Sequence, residues 1–91
     1  MEQIMRVHVW ISGRVQGVFF RQETYRRSRS RGLAGWVANL PDGRVEAVFE
    51  GPKAAVESML RWSQEGPRQA VVTSVEVARE APVGEESFQV R

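Results

Sequence analysis

Gly13-Arg14-Val15-Gln16-Gly17-Val18-Phe19-Phe20-Arg21 is the stretch whose residue types and spacing could hold an anion. Two glycines four residues apart permit positive φ and let successive N–H groups turn toward one point, which is how a chain builds an anion-binding concavity. A charged, helix-permissive run follows. A helix starting there leaves its first N–H groups unpaired and aims its positive dipole end at the same point. In that first turn Arg21 opposes the dipole by a few tenths of a kcal/mol to about 1 kcal/mol, unless an anion lies between them. Its planar, permanently charged guanidinium matches two phosphate or carboxylate oxygens at once. Alone, such a stretch reads as a loop with a solvated charge: it carries neither the Gly-Lys-Ser/Thr of a P-loop nor a GxGxxG fingerprint.

Several elements must position this loop. Ile4 to Ser12 alternates, with Val7, Val9 and Ile11 on one face and Arg6, His8, Trp10 and Ser12 on the other, the pattern of a half-buried strand. Arg21 to Arg31 reads as a helix ended by Gly32, with a weak apolar stripe of Tyr25 and Leu33 beside small Thr24 and Ser28. Gly35 to Leu40 is a second strand and Pro41-Asp42-Gly43 a turn into a third, Arg44 to Glu50. There Val45, Ala47 and Phe49 face the core, and Glu46, Val48 and Glu50 make an acidic outer face. Gly51-Pro52 opens a second helix, with Gly51 as N-cap, Pro52 at its first position and a stripe of Ala55, Val56, Met59 and Leu60; Gly66-Pro67 ends it. Ala70 to Val77 and a short Ser87 to Val90 complete the strands.

The order is βαββαβ plus a short edge strand, a ferredoxin-like α+β sandwich with two helices on one face of an antiparallel sheet. Residues 1–91 are expected to form one domain. In this plan the loop after strand one and the turn after strand two share an edge, so Arg21 and Asn39 become neighbours. Gly66-Pro67-Arg68-Gln69 reaches the same edge and can form part of its rim.

Composition narrows the chemistry. Ninety-one residues with 42% hydrophobic content suffice for one core. With no cysteine and one histidine, the chain has no disulfide framework, no thiolate nucleophile and no Cys-based metal site. The net charge is only +2, and Lys53 is the single lysine among thirteen cations, a mild bias toward anionic partners. No run is long enough to cross a bilayer and no signal-peptide pattern opens the chain, so a cytoplasmic protein is expected.

The stretch Gly13 to Arg21 together with Gly32-Leu33-Ala34-Gly35-Trp36-Val37-Ala38-Asn39, and Asp42-Gly43-Arg44-Val45-Glu46 behind them, closely resembles the two signature segments of the acylphosphatases. The similarity covers nearly the whole chain. The resemblance implies a small hydrolase, free of metal and cofactor, that cleaves the carboxyl-phosphate bond of acyl phosphates and releases inorganic phosphate. It puts the phosphate-binding arginine on Arg21, the water-positioning asparagine on Asn39, and the amide cradle on Gln16, Gly17, Val18, Phe19, Phe20 and Arg21. Three positions depart from the pattern. Ser28 and Arg31 replace apolar residues of the first helix and bear on its packing. Leu40 stands where some members carry threonine and bears on how Asn39 is held.

The residues fit that chemistry on their own terms. No acid/base pair falls near the loop, since His8 is mid-strand on the outer face, Asp42 is a turn residue and Glu23 suits the helix dipole. A carboxylate leaving group, with a pKa of about 4, requires no protonation, whereas an alcohol would. Two other readings stay open. One is an RRM-like nucleic-acid module, for which Trp10 is a start but Glu46 and Glu50 repel phosphate. The other is an inactive domain that keeps the pocket as an anion sensor. The hydrolase reading expects a monomer acting on small molecules, away from nucleic acid and membrane.

Overall fold

The computed structural model describes residues 3–91. The elements are β1 (Ile4–Arg14), α1 (Phe20–Ser30), β2 (Ala34–Asn39), β3 (Val45–Pro52), α2 (Lys53–Ser63), β4 (Val71–Glu80) and β5 (Phe88–Val90). They form a five-stranded sheet in the order β4-β1-β3-β2-β5. The alternation of β1 determines what it buries. Val7, Val9 and Ile11 stand opposite Phe49, Ala47 and Val45 of β3, and all six lie in the core with Val56 and Met59 of α2 and Phe20 of α1. The two helices cover this face, as the ferredoxin-like α+β expectation requires.

The four strands β1 to β4 pair antiparallel, but β5 runs parallel to β2. Topology forces this. Glu80, at the end of β4, pairs with Arg6 near the start of β1, so the chain leaves β4 at the end of the sheet remote from the Gly13–Arg21 loop. It crosses there and can only return toward the loop. That return carries Val90 and Arg91 to the edge where Asn39 ends β2.

The crossing also changes the outer face. Val48 and Glu50 point away from the helices as the alternation requires, yet both are buried. Glu50 accepts hydrogen bonds from the N–H groups of Val83 (3.1 Å), Gly84 (2.8 Å) and Glu85 (3.2 Å) and an ion pair from Arg6 at 2.9 Å. Burial pushes its carboxyl pKa up, but the Val83 amide, the Arg6 guanidinium and the Gly84 and Glu85 amides outweigh burial and leave it below the ordinary value.

α2 begins one residue later than its Gly-Pro start suggests: Pro52 is the N-cap and Lys53 the first helical residue. The reason is the β1–β3 ladder, which holds Met5 opposite Gly51 and Ile4 opposite Pro52. The buried face of α1 is Phe20, Thr24 and Ser28, and the hydroxyls of Thr24 and Ser28 have no hydrogen-bond partner. Arg31 is accommodated differently, its guanidinium donating to Ser58 Oγ (3.1 Å) and to the Arg27 carbonyl (3.3 Å).

Candidate active site

Between β1 and α1 the chain turns sharply. A β-bulge at Ser12/Gly13 bends the strand, and at Gly13 (φ 125°) any Cβ would meet the carbonyl oxygen of Val71. Gly17 (φ 74°) and then Phe19 (φ 68°, ψ 23°) both take left-handed conformations. For a bulky, non-glycine residue this backbone is costly, and such strain gathers at ligand sites. Phe19 gains no burial in return, being 63% exposed. Val15, Val18 and Phe20 are buried and anchor the loop from within.

Phe19 is the N-cap of α1, and no side chain caps the helix. Among the described residues, the N–H groups of Gln16 to Arg21 enter no backbone hydrogen bond of a turn, loop or cap. A helix start left open in this way is a ready anion site. Glu23, the acidic residue of the first turn, is engaged by Arg26 at 2.7 Å and by Arg27 at 3.6 Å. The Arg26 hydrogen bond holds its carboxyl below the ordinary value, so it stays an anion.

Arg21 and Asn39 line one cavity of about 440 Å³, with Gly17, Phe19 and Gln22 on the loop and helix side and Val90 beside Asn39. Arg21 pairs with no Asp or Glu side chain among the described residues; its Nη1 donates to the main-chain oxygen of Arg91, the last described residue, at 3.3 Å. Asn39 closes β2 opposite Val45, and its Oδ1 is buried without a hydrogen-bond partner. An unpaired buried acceptor at the wall of a cavity is an exception that calls for a ligand or a water.

The side chain of Gln16 ties the loop to the β2–β3 turn. Its Nε2 donates to the carbonyls of Leu40 (2.8 Å) and Arg44 (3.0 Å), and the Leu40 N–H donates to the same Arg44 carbonyl at 2.8 Å. Leu40 therefore acts through its backbone, and a leucine there serves this bonding as well as a threonine. Asp42 accepts from the Arg44 N–H (3.0 Å) and Nε (2.8 Å), and these bonds, the backbone one first, depress its pKa.

Every residue the sequence assigned to the cradle or to chemistry thus lies on the loop, on the first turn of α1 or at the facing end of β2. Sequence reasoning missed the side-chain role of Gln16, and it missed Gln22 and Val90. A glutamine next to a left-handed glycine, with two N–H donors to satisfy, was an available signal for the first. Val90 had none, because its place depends on the parallel course of β5.

Open main-chain donors with a guanidinium and a carboxamide, on the edge of a ferredoxin-like sandwich, make up a site whose chemistry suits a tetrahedral anion. Comparison with known proteins narrows the reading. Residues 7–90 match the acylphosphatase family model. An acylphosphatase of Rubrobacter xylanophilus is 57% identical over 90 residues, spanning 98% of this chain and 82% of its own. One from Gloeobacter violaceus is 53% identical over 90 residues, spanning 99% of this chain and 97% of its own. The structure of an acylphosphatase from Coxiella burnetii superposes with a TM-score of 0.92 at 38% identity, over 97% of this chain and 93% of the other. The chain belongs to the acylphosphatase family, hydrolases acting on acyl phosphates. No helix among the described residues is long and apolar enough to cross a membrane.

Proposed function

We propose that the chain hydrolyses acyl phosphates without a metal ion, by in-line attack of a water oriented by Asn39 on a phosphoryl group held by Arg21 and by the amides of Gln16 to Arg21. The observation that carries this reading is what gathers at one cavity: loop residues whose N–H groups are left open, among them Gly17, Phe19 and Phe20, a guanidinium paired with no Asp or Glu side chain, and the unpaired Oδ1 of Asn39. The amides and Arg21 take the part that a divalent ion plays elsewhere, neutralising the phosphoryl oxygens. Asn39 Oδ1 accepts a hydrogen bond from the water and aims its lone pair at phosphorus. As the water–phosphorus bond forms, the phosphorus–oxygen bond to the acyl group breaks. The electron pair leaves on a carboxylate, and the water's proton passes to a phosphate oxygen or to solvent. No general acid is required, because a carboxylate is a stable leaving group near neutral pH.

The reading includes a cytoplasmic monomer that acts on small molecules and leaves nucleic acid alone. Support for the last point comes from the outer sheet face, where His8 lies between Glu46 (2.7 Å) and Glu80 (3.0 Å) and stacks on Trp10, closing the aromatic surface with carboxylates. Benzoyl phosphate hydrolysis with added chelator tests the proposal. Unchanged turnover in chelator is the expected result. Loss of turnover restored by a divalent ion overturns metal independence, and phosphate binding without turnover makes the site a sensor.

A further inference from the structure

A second groove, of about 600 Å³, lies against the first cavity, and Phe19 and Gln22 line both. Its far wall is Gly66, Pro67 and Arg68, the connection between α2 and β4, and its floor includes Val18 and Arg27. We infer that this groove is the acyl subsite of the hydrolase and that it selects acyl phosphates whose acyl part carries a carboxylate. The inference rests on the proposed reading of the cradle and adds to it the substrate class.

Three observations carry it. First, in-line attack puts water and leaving oxygen on opposite sides of phosphorus. Asn39 lines the cavity but not the groove, whereas Phe19 and Gln22, on the loop and helix side, join the two. An acyl group leaving away from Asn39 is therefore directed across Phe19 into the groove. Second, Phe19 keeps an unfavourable left-handed backbone and a 63% exposed ring at that junction, the position from which it can cover an apolar acyl chain. Third, the groove is electropositive in a limited way. Arg68 is exposed and has no ion-pair partner among the described residues, and Arg27 Nε is buried without a hydrogen bond while its guanidinium lies 4.9 Å from the Trp62 ring centre. Glu23 on the same wall is held by Arg26 at 2.7 Å and lies 3.6 Å from Arg27, which leaves Arg68 as the groove's unpaired cation. One unpaired cation with a carboxylate nearby suits a carboxylate monoanion better than a second phosphate dianion, which Glu23 would repel.

The test compares kcat/KM for 3- and 4-carboxybenzoyl phosphate with that for benzoyl phosphate, in the wild-type chain and in Arg68→Glu, Arg68→Gln and Arg79→Glu. Arg79 sits opposite Val7, at the other end of the sheet, and controls for general steering. The expected result is a wild-type preference for at least one carboxylated substrate that falls about tenfold in Arg68→Glu, by a smaller factor in Arg68→Gln, and by less than about twofold in Arg79→Glu. A wild type without the preference, or an equal fall in Arg79→Glu, overturns the subsite and leaves the hydrolase standing. No turnover of any of the three substrates overturns the hydrolase, and the subsite with it.

Discussion

The two ends of the sheet solve the same problem in opposite ways. At the end where β4 leaves, the N–H groups of Val83, Gly84 and Glu85 and the guanidinium of Arg6 converge on an anion the chain itself supplies, the Glu50 carboxylate. At the other end, the N–H groups of Gln16 to Arg21 are left open, and Gly17, Phe19, Phe20 and Arg21 line a cavity that no Asp or Glu side chain among the described residues lines. Converging N–H donors attract negative charge wherever a fold gathers them. Filled from within, such a cluster fastens a loop; left open, it becomes a site for a ligand.

The largest effects should come from breaking the open cluster. Asn39→Ala is expected to lower kcat by about 10³-fold, comparable to removing a transition-state donor, while inorganic phosphate still binds. Simultaneous loss of phosphate binding would argue against a water-positioning role. Arg21→Lys should lose a similar factor, since a point charge does not replace a two-pronged guanidinium. A lysine variant with near-normal turnover would remove the bidentate clamp from the mechanism.

Breaking the filled cluster should act on stability instead. Glu50→Ala removes the acceptor of three main-chain amides and one of the carboxylates that Arg6 bonds, Glu80 at 2.9 Å remaining, and is expected to cost about 2 kcal/mol in urea unfolding, with the kcat of the remaining folded protein little changed. The sign with pH follows from the depressed pKa of Glu50. Its contribution is fully present above the unfolded carboxyl value, about 4.3, and is lost as pH falls through the lower folded value. Glu23, Asp42 and Glu80 are depressed in the same sense. The part due to Glu50 is therefore the difference between wild type and Glu50→Gln, whose acid limb should be shallower. Parallel acid limbs would contradict the assignment.

A smaller effect sharpens the contrast between holding an anion and aiming a water. Gln16→Met removes both bonds to the β2–β3 turn and should lower kcat about tenfold with KM within about twofold. Gln16→Glu, which faces two carbonyls with an acceptor, should be worse than Met. Equal losses in the two variants would reduce Gln16 to a packing residue. The smallest effect lies in α1, where Thr24→Val removes a buried hydroxyl that has no partner at nearly constant volume. A gain of about 0.5–1 kcal/mol in thermal or urea unfolding is expected, and a loss would mean that the hydroxyl is bonded in solution.

What the sequence made legible was what local patterns encode. The alternation at Val7, Val9 and Ile11, the Pro41-Asp42-Gly43 turn and the spaced glycines of the loop each specify backbone over a few residues, and together they bring Arg21 and Asn39 to one edge. What stayed hidden depends on contacts across long separations. The burial of Glu50 requires the crossing at residues 83–85, thirty-three or more positions away. The parallel course of β5, and with it Val90 at the cavity, follows from where β4 ends. The inward face of α1 was half legible: Thr24 and Ser28 were read on its stripe and are buried, but Phe20, the largest side chain of that face, was read as part of the loop.

The claim that the open cluster receives a tetrahedral anion is tested most directly by titrating inorganic phosphate into ¹⁵N-labelled protein. Saturable shifts are expected for the amides of residues 16–21 and the Asn39 side chain, with the amides of Val83, Gly84 and Glu85 unmoved. Shifts confined to other residues, or none at phosphate concentrations that inhibit turnover, would contradict it.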